Sequence, residues 1–216
     1  MKRKLHIVGL LCLAFLITDK LVAQQKDFQL WTGAALSKEF NKKFTLGAEF
    51  QTRLNQNAST VNTTFGEFGT KFAVADWYKI GTSYRLGSKG FGLTHRIDFD
   101  NTFRIKLNDE RFYFRAKIQR DFYRNAIDDD NLRLRLKYVH KFSKKIKGYL
   151  AGEYFYAWEY SDGFSNWKRQ RYTGGIEYRF KKKNSLDFYY RYQGDMNKAR
   201  PDQDYIIGIG YKLEFD

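Results

Sequence analysis

The sequence is poor in the residues that carry most covalent and metal chemistry. Its 216 residues contain one cysteine, Cys12, one proline, Pro201, and three histidines. A single cysteine excludes an intramolecular disulfide and a cysteine-ligated metal centre. His95 and His140 have no second histidine or suitably spaced carboxylate that would complete a metal site. We therefore expect no metal and no cofactor.

Long apolar runs are also missing. Outside Leu5–Ile17, no segment approaches the roughly 20 apolar residues that a transmembrane helix needs. This run follows the basic segment Lys2–Lys4 and precedes a small residue, Ala23, which is the arrangement of a secretory signal peptide. The sequence predicts a signal peptide over residues 1–23 and one domain over residues 24–216.

Charge is abundant and mostly positive, with a net charge of +15. A strongly basic chain often binds nucleic acid, but an exported protein meets anionic lipids instead. Lysines cluster at Lys42-Lys43, Lys144-Lys145 and Lys181–Lys183, where they would contact lipid headgroups or keep tight turns soluble. We expect outer-membrane lipids and lipopolysaccharide as partners, and no nucleic acid.

The dominant pattern is an alternation of apolar and polar residues. Between Tyr205 and Phe215, apolar side chains alternate with Gly208, Gly210 and Lys212 among others. A period of two is typical of a β-strand with one apolar and one polar face. Eleven segments show it. In an exported chain they predict an all-β fold, a transmembrane antiparallel up-and-down β-barrel of 10–12 strands.

Short and long connections alternate between these segments, as in outer-membrane barrels. The predicted short turns are Asn41–Lys43, Asp76-Trp77, Asn108–Glu110, Ser143–Lys145 and Lys181–Asn184. Longer connections are predicted at Leu54–Asn62 and Gly87–Gly92. Eleven strands do not fit a simple up-and-down barrel, because such a barrel closes with an even number of strands. Either a strand is missed or merged, or the N-terminal strand is unusual.

Alternation alone does not say which face lies inside, since a soluble lipid-binding barrel turns its apolar face inward. Aromatic residues near strand ends (Tyr78, Tyr138, Trp158 and Tyr205) favour a membrane girdle and therefore a polar lumen. The candidate lumen-facing residues are Glu49, Arg53, Glu67, Lys71, Arg85, Asp98, Arg104, Arg115, Arg133, Arg135, Glu153, Arg171, Glu177, Arg179, Asp187 and Arg191. Opposite charges on neighbouring strands would pair. We expect these pairs to fill most of the lumen.

An outer-membrane phospholipase or lipid A deacylase is the enzymatic alternative, and it needs a serine activated by a histidine. His95 lies in a suitable segment, but no serine follows two residues later. Ser83 and Ser185 belong to the polar face, whereas His95 and His140 belong to the apolar face. We expect no catalytic residue. The acidic run Asp128–Asp130 is expected to be a solvated loop, with divalent cation binding as the alternative.

Three segments resemble a known family. They are FQLWTGAALSKEFNKKFTLGAEFQTRL near the start, THRIDFDNTFRIKL in the middle, and NSLDFYYRYQ with YIIGIGYKLEF at the end. The chain resembles the outer-membrane barrel family of unknown function number 2490, common in Bacteroidetes-type bacteria. The resemblance implies an outer-membrane barrel and no particular activity. The ending, with Phe215 penultimate, also resembles the signal read by the barrel-assembly machinery.

These observations predict a non-enzymatic, monomeric protein in the outer membrane of a Gram-negative bacterium. Its expected role is structural, or that of a narrow pore. The alternatives are a lipid-modifying outer-membrane enzyme and a soluble periplasmic lipid-binding barrel.

Overall fold

The fold is a single closed β-barrel in a computed structural model that describes residues 26–41, 43–90, 92–124, 128–159, 166–198 and 200–215. The predicted signal peptide lies outside these residues. The strands are β1 (Lys26–Phe40), β2 (Phe44–Asn55), β3 (Thr60–Ala75), β4 (Tyr78–Lys89), β5 (Gly92–Leu107), β6 (Glu110–Tyr123), β7 (Asp129–Lys141), β8 (Ile146–Glu159), β9 (Asn166–Lys181), β10 (Asn184–Asp195) and β11 (Gln203–Phe215). Within the described part of the chain, no helix is long and apolar enough to cross a membrane.

The barrel closes through a parallel pair. Each strand pairs antiparallel with the next, but β1 pairs parallel with β11, so that Trp31 lies opposite Gly208. An odd number of alternating strands can close only if one neighbouring pair is parallel. The prediction of 10–12 strands is confirmed with eleven, and the unusual strand is the N-terminal one. Closure leaves no free sheet edge, as a membrane requires.

The five predicted short turns join the strands at one end of the barrel, here called the turn end, and the other connections lie at the loop end. Two predicted longer connections are present but are shorter than expected. The connection predicted at Leu54–Asn62 is a turn over 56–59, and the one predicted at Gly87–Gly92 covers only 90–91. Residues such as Thr60 and Ser88 still pair with neighbouring strands. Backbone pairing continues there because it does not depend on apolar side chains.

The two faces of the wall differ sharply in polarity. Large apolar side chains on the outer face are exposed, including Phe50 at 57%, Ile105 at 62% and Leu150 at 64%. The inner face carries buried polar groups such as Asp98 and Glu153. This is the opposite of a lipid-carrier barrel, whose apolar face is internal. An apolar exterior around a charged interior is the pattern of a transmembrane barrel.

Aromatic rings gather on the outer face near both ends. At the turn end, the Tyr78 ring stacks on Phe103 with 4.9 Å between centroids. At the loop end, Tyr192 and Tyr205 lie 5.7 Å apart, and the exposed Trp158 is on β8. Two aromatic belts of this kind mark the membrane interfaces in outer-membrane barrels.

Candidate functional site in the barrel interior

The interior encloses a cavity of about 600 Å³ to which all eleven strands contribute. Its lining extends from Asn62 and Asp129 at the loop end to Lys137 and Lys212, a few residues from the turn end. Ion pairs do join neighbouring strands across the inner wall, but they leave this space open. The cavity is therefore the main candidate for a functional site.

Of the sixteen residues predicted to face the lumen, eleven line the cavity: Glu49, Arg53, Glu67, Arg85, Arg115, Arg133, Arg135, Glu153, Arg171, Asp187 and Arg191. The other five are Lys71, Asp98, Arg104, Glu177 and Arg179. Asp98 is only 1% exposed and is packed into the wall. The guanidinium of Arg104 donates to the carbonyl of Asp76 in a turn, at 2.5 Å. The structure thus brings together most, but not all, of the predicted set.

The centre of one side of the cavity is Trp31, which is 3% exposed. Three guanidinium groups approach its ring, with centroid distances of 3.8 Å for Arg53, 5.0 Å for Arg191 and 5.7 Å for Arg171. They come from β2, β10 and β9, while Trp31 is on β1. Each contact is an attraction between a cation and the face of a π system. Together with Tyr189, these four residues are called the Trp31 wall.

Tyr189 reaches the Trp31 wall because β11 has a glycine at the crossing point. Gly208 pairs with both Trp31 and Tyr189, and a Cβ on Gly208 would lie 1.9 Å from Cζ of Tyr189. No side chain fits in that space, so the tyrosine ring lies directly on the β11 backbone. The guanidinium of Arg191 lies 4.7 Å from the Tyr189 ring centroid.

Further arginine–aromatic contacts continue on both sides of the Trp31 wall. Phe65 has Arg53 at 5.0 Å and Arg85 at 3.6 Å from its ring centroid. Phe155 has Arg171 at 4.7 Å and Arg133 at 4.6 Å. The stacking fixes the planes of the guanidinium groups, which otherwise carry high rotamer entropy.

The arginines of the Trp31 wall use Nε to bind neutral acceptors. Arg53 donates to Gln51 at 2.6 Å, and Arg171 donates to Gln193 at 2.8 Å. Arg191 donates to the hydroxyl of Thr173 at 3.0 Å. These bonds orient the side chains without neutralising their charge.

Carboxylates neutralise only some of the interior arginines. Glu153 takes the largest share, with Arg115 and Arg133 each at 2.9 Å and Arg171 at 3.4 Å. By contrast, Arg53, Arg135 and Arg191 have no carboxylate within 4.0 Å among the residues that the structure describes. Uncompensated positive charge therefore faces the cavity.

A second side of the interior, on β5 and β6, is paired one to one. Lys117 contacts Asp98 at 3.1 Å, and Arg96 contacts Asp121 at 2.5 Å. Asp98 also accepts from Ser83 at 3.0 Å, and Asp121 accepts from Gln119 at 2.6 Å. The residues Asp98, Lys117, Arg96, Asp121 and Gln119 are called the Asp98 wall.

Towards the turn end, two lysines and two carboxylates form a compact group of ion pairs. Lys147 contacts Glu177 at 2.7 Å, and Lys212 contacts Asp187 at 3.0 Å. The hydroxyl of Tyr149 donates to Asp187 at 2.9 Å. This group lies at the turn end of the cavity, where Lys137 adds a further cation 4.0 Å from the centroid of the Tyr149 ring.

Comparisons with known proteins support the fold. Residues 28–204 match the family described as "Protein of unknown function (DUF2490)". The chain belongs to this family. No curated protein matches its sequence significantly.

Several solved structures share the barrel at low sequence identity. The NanC porin aligns with a TM-score of 0.53 and 11% identity, over 77% of this chain and 86% of that one. The KdgM porin in complex with disordered oligogalacturonate gives 0.52 and 15%, over 85% and 95%. A bacterial polysaccharide outer membrane secretin gives 0.52 and 10%, over 77% of this chain and 63% of that one. This family member thus spans less than two thirds of the secretin. Such identities show a shared fold only.

The residues considered for catalysis lie apart. On the outer face, His95 lies 2.5 Å from the hydroxyl of Tyr84, and His140 lies 3.8 Å from Glu110. Ser83 and Ser185 are on the inner side. In the described ranges, no serine bonds to a histidine, and no three His, Cys, Asp or Glu side chains converge as metal ligands would.

Basic side chains form ion pairs with the acidic run Asp128–Asp130 at the loop end. Arg120 contacts Asp128 at 3.5 Å and Asp130 at 3.6 Å, and Lys168 pairs with Asp129. Asp129 and Asp130 lie in β7 and not in a loop, so the prediction of a solvated loop was wrong for these two residues. Their ion pairs join β7 to β6 and β9 at the rim.

Reasoning from the sequence missed the aromatic residues of the interior. Trp31, Phe65, Phe155 and Tyr189 line the cavity but were absent from the predicted lumen set. A signal was available, because Phe65 shares parity with Glu67, and Phe155 with Glu153. An aromatic residue on the charged face of a strand should have been read as part of the lumen.

Proposed function

We propose that this protein is a narrow outer-membrane conduit for small polar solutes. The observation that carries the proposal is the cavity of about 600 Å³, which extends from the loop end to within a few residues of the turn end. Its polar, charged lining suits water and hydrophilic solutes. The apolar outer face matches the hydrocarbon layer in which such a barrel is stable.

The related folds favour the same role. The NanC and KdgM proteins are porins, and the KdgM structure holds an acidic saccharide, oligogalacturonate. A barrel of similar fold with an arginine-rich lumen is well suited to small anionic or sugar-like solutes. We propose that the chain acts as a monomer, since each barrel has its own cavity.

Planar bilayers test the conduit directly. The purified barrel should give discrete conductance steps, and Ala35→Trp should reduce them because Ala35 lines the cavity. The matched control is Ala48→Trp on the neighbouring strand, where Ala48 is exposed on the outer face. Conductance absent at every voltage, or reduced equally by both variants, would contradict the proposal.

We also propose that the protein is not an enzyme and resides in the outer membrane. Phospholipids and lipid A incubated with the barrel and calcium should be unchanged by mass spectrometry. After cell fractionation, the protein should be recovered with outer-membrane lipids. Lipid hydrolysis would contradict the first expectation, and recovery in the soluble periplasm would contradict the second.

A further inference from the structure

We propose that the Trp31 wall is a binding site for the anionic group, carboxylate or phosphate, of a small solute inside the lumen. The inference rests on the proposed conduit for access and adds the chemistry that the conduit selects. Three guanidinium groups, from Arg53, Arg171 and Arg191, surround a single buried indole ring.

The residues that the structure describes compensate this charge only in part. Among them, Arg171 is the one arginine of the three that contacts a carboxylate, Glu153 at 3.4 Å, and Glu153 is shared with two other arginines. Glu49 lies two residues from Gln51, whose amide nitrogen donates to it at 3.5 Å, and Gln51 in turn accepts from Arg53. The Glu49 carboxylate therefore meets Arg53 through a neutral amide and not in a direct ion pair.

The donor geometry points to a ligand and not to a packing role. Arg53 and Arg191 each use Nε to bind a neutral acceptor, and no described side chain accepts from their terminal nitrogens. Both residues line the cavity. Terminal guanidinium nitrogens form the two-pronged donor that matches carboxylate and phosphate oxygens.

Burying cations without counter-charges is costly, and an incoming anion removes that cost. The stacked aromatic rings offset part of it and hold the guanidinium planes in place. A preordered donor set loses little entropy when the anion arrives. The cavity volume of about 600 Å³ suits one small molecule, within the usual range for ligand sites. The site would thus take an organic acid, a sugar acid or a sugar phosphate.

The first test measures ion selectivity. In a KCl gradient, the reversal potential of the native barrel should show a preference for chloride, and Arg53→Gln with Arg191→Gln should lower the chloride-to-potassium permeability ratio at least about threefold. The matched control is Lys71→Gln with Arg104→Gln, which removes two positive charges that do not line the cavity. An equal fall in the control would overturn the proposal, because it would show general lumen charge and no site.

The second test detects binding without any conductance. Trp77, Trp158 and Trp167 are exposed, so replacing them by phenylalanine leaves Trp31 as the only indole in the barrel. In detergent, its fluorescence should change saturably with galacturonate or glucose 6-phosphate, and not with neutral glucose. A response to either acid supports the site and identifies its anionic group. The proposal would be overturned if neither acid changed the fluorescence, or if neutral glucose changed it equally.

A conservative double variant separates the charge of the site from the geometry of its hydrogen-bond donors. Arg53→Lys with Arg191→Lys keeps both charges but loses the two-pronged donors, so chloride preference should persist while acid binding weakens about tenfold. Binding without conductance would overturn the conduit and leave the site standing. Conductance without anion preference or acid binding would overturn the site alone.

Discussion

The Trp31 wall and the Asp98 wall both belong to the barrel interior, but they differ in charge balance: the first is net positive and the second is neutral. On the Asp98 wall each cation has its own carboxylate, and Asp98, Lys117 and Asp121 are all buried. On the Trp31 wall, Arg53 and Arg191 have aromatic and neutral neighbours instead. The difference teaches that a charge on the inner face does not by itself mark a functional site. Charge left uncompensated beside open space is the better indicator.

The two walls should also respond differently to mutation. A buried ion pair stabilises little relative to an apolar pair, yet losing one partner is severe, because the other charge is left buried and unpaired. By contrast, replacing an arginine that is stacked on aromatic rings and has no carboxylate partner leaves no unpaired charge behind. The Asp98 wall should therefore hold the barrel together, whereas the Trp31 wall should tolerate the loss of its charges.

The largest effect is expected at Asp98. Asp98→Leu leaves Lys117 without its carboxylate and should lower the free energy of unfolding by about 3–5 kcal/mol, measured by urea titration of the barrel in lipid vesicles. Asp98→Leu combined with Lys117→Met should recover most of this loss. If the double variant were as unstable as the single one, the two residues would not act as a pair.

An intermediate effect is expected at the junction of β1 and β11. Gly208→Val places a side chain where the Tyr189 ring lies, and this overpacking should destabilise the barrel by about 1–3 kcal/mol. Gly208→Val with Tyr189→Ala should relieve the clash. The same urea titration checks it, with Gly66→Val as control, because nothing lies within 4 Å of a Cβ there. Equal losses at both glycines would point to backbone effects alone.

The smallest effect on stability is expected at Arg53. Arg53→Met should change the free energy of unfolding by less than about 1 kcal/mol, because the loss of the cation–π contacts with Trp31 and Phe65 is offset by the removal of a buried cation that has no carboxylate partner. Loss of several kcal/mol would mean that the Trp31 wall is structural, like the Asp98 wall, and the contrast between the two would disappear.

Much of the barrel could be predicted from the sequence because its signals are local. The turn at Asp76-Trp77 ends β3 and starts β4 as expected. Period-two alternation also placed Arg53, Glu153 and Arg191 on one face, since adjacent side chains of a strand point to opposite sides. The loops predicted to begin at Leu54 and Gly87 begin later in the structure. The strands extend past the apolar band through backbone pairing, which the pattern of side chains does not show.

The alternation of residues determined an all-β barrel of about eleven strands, because a membrane imposes the same two-residue period on every strand. The aromatic residues near the strand ends then indicated an apolar exterior and a charged lumen. Only the tertiary structure decided that β1 joins β11 in parallel and that Arg53, Arg171 and Arg191 meet on Trp31. Those contacts join strands from opposite ends of the chain, and their register depends on closing the whole barrel. No local pattern carries that information.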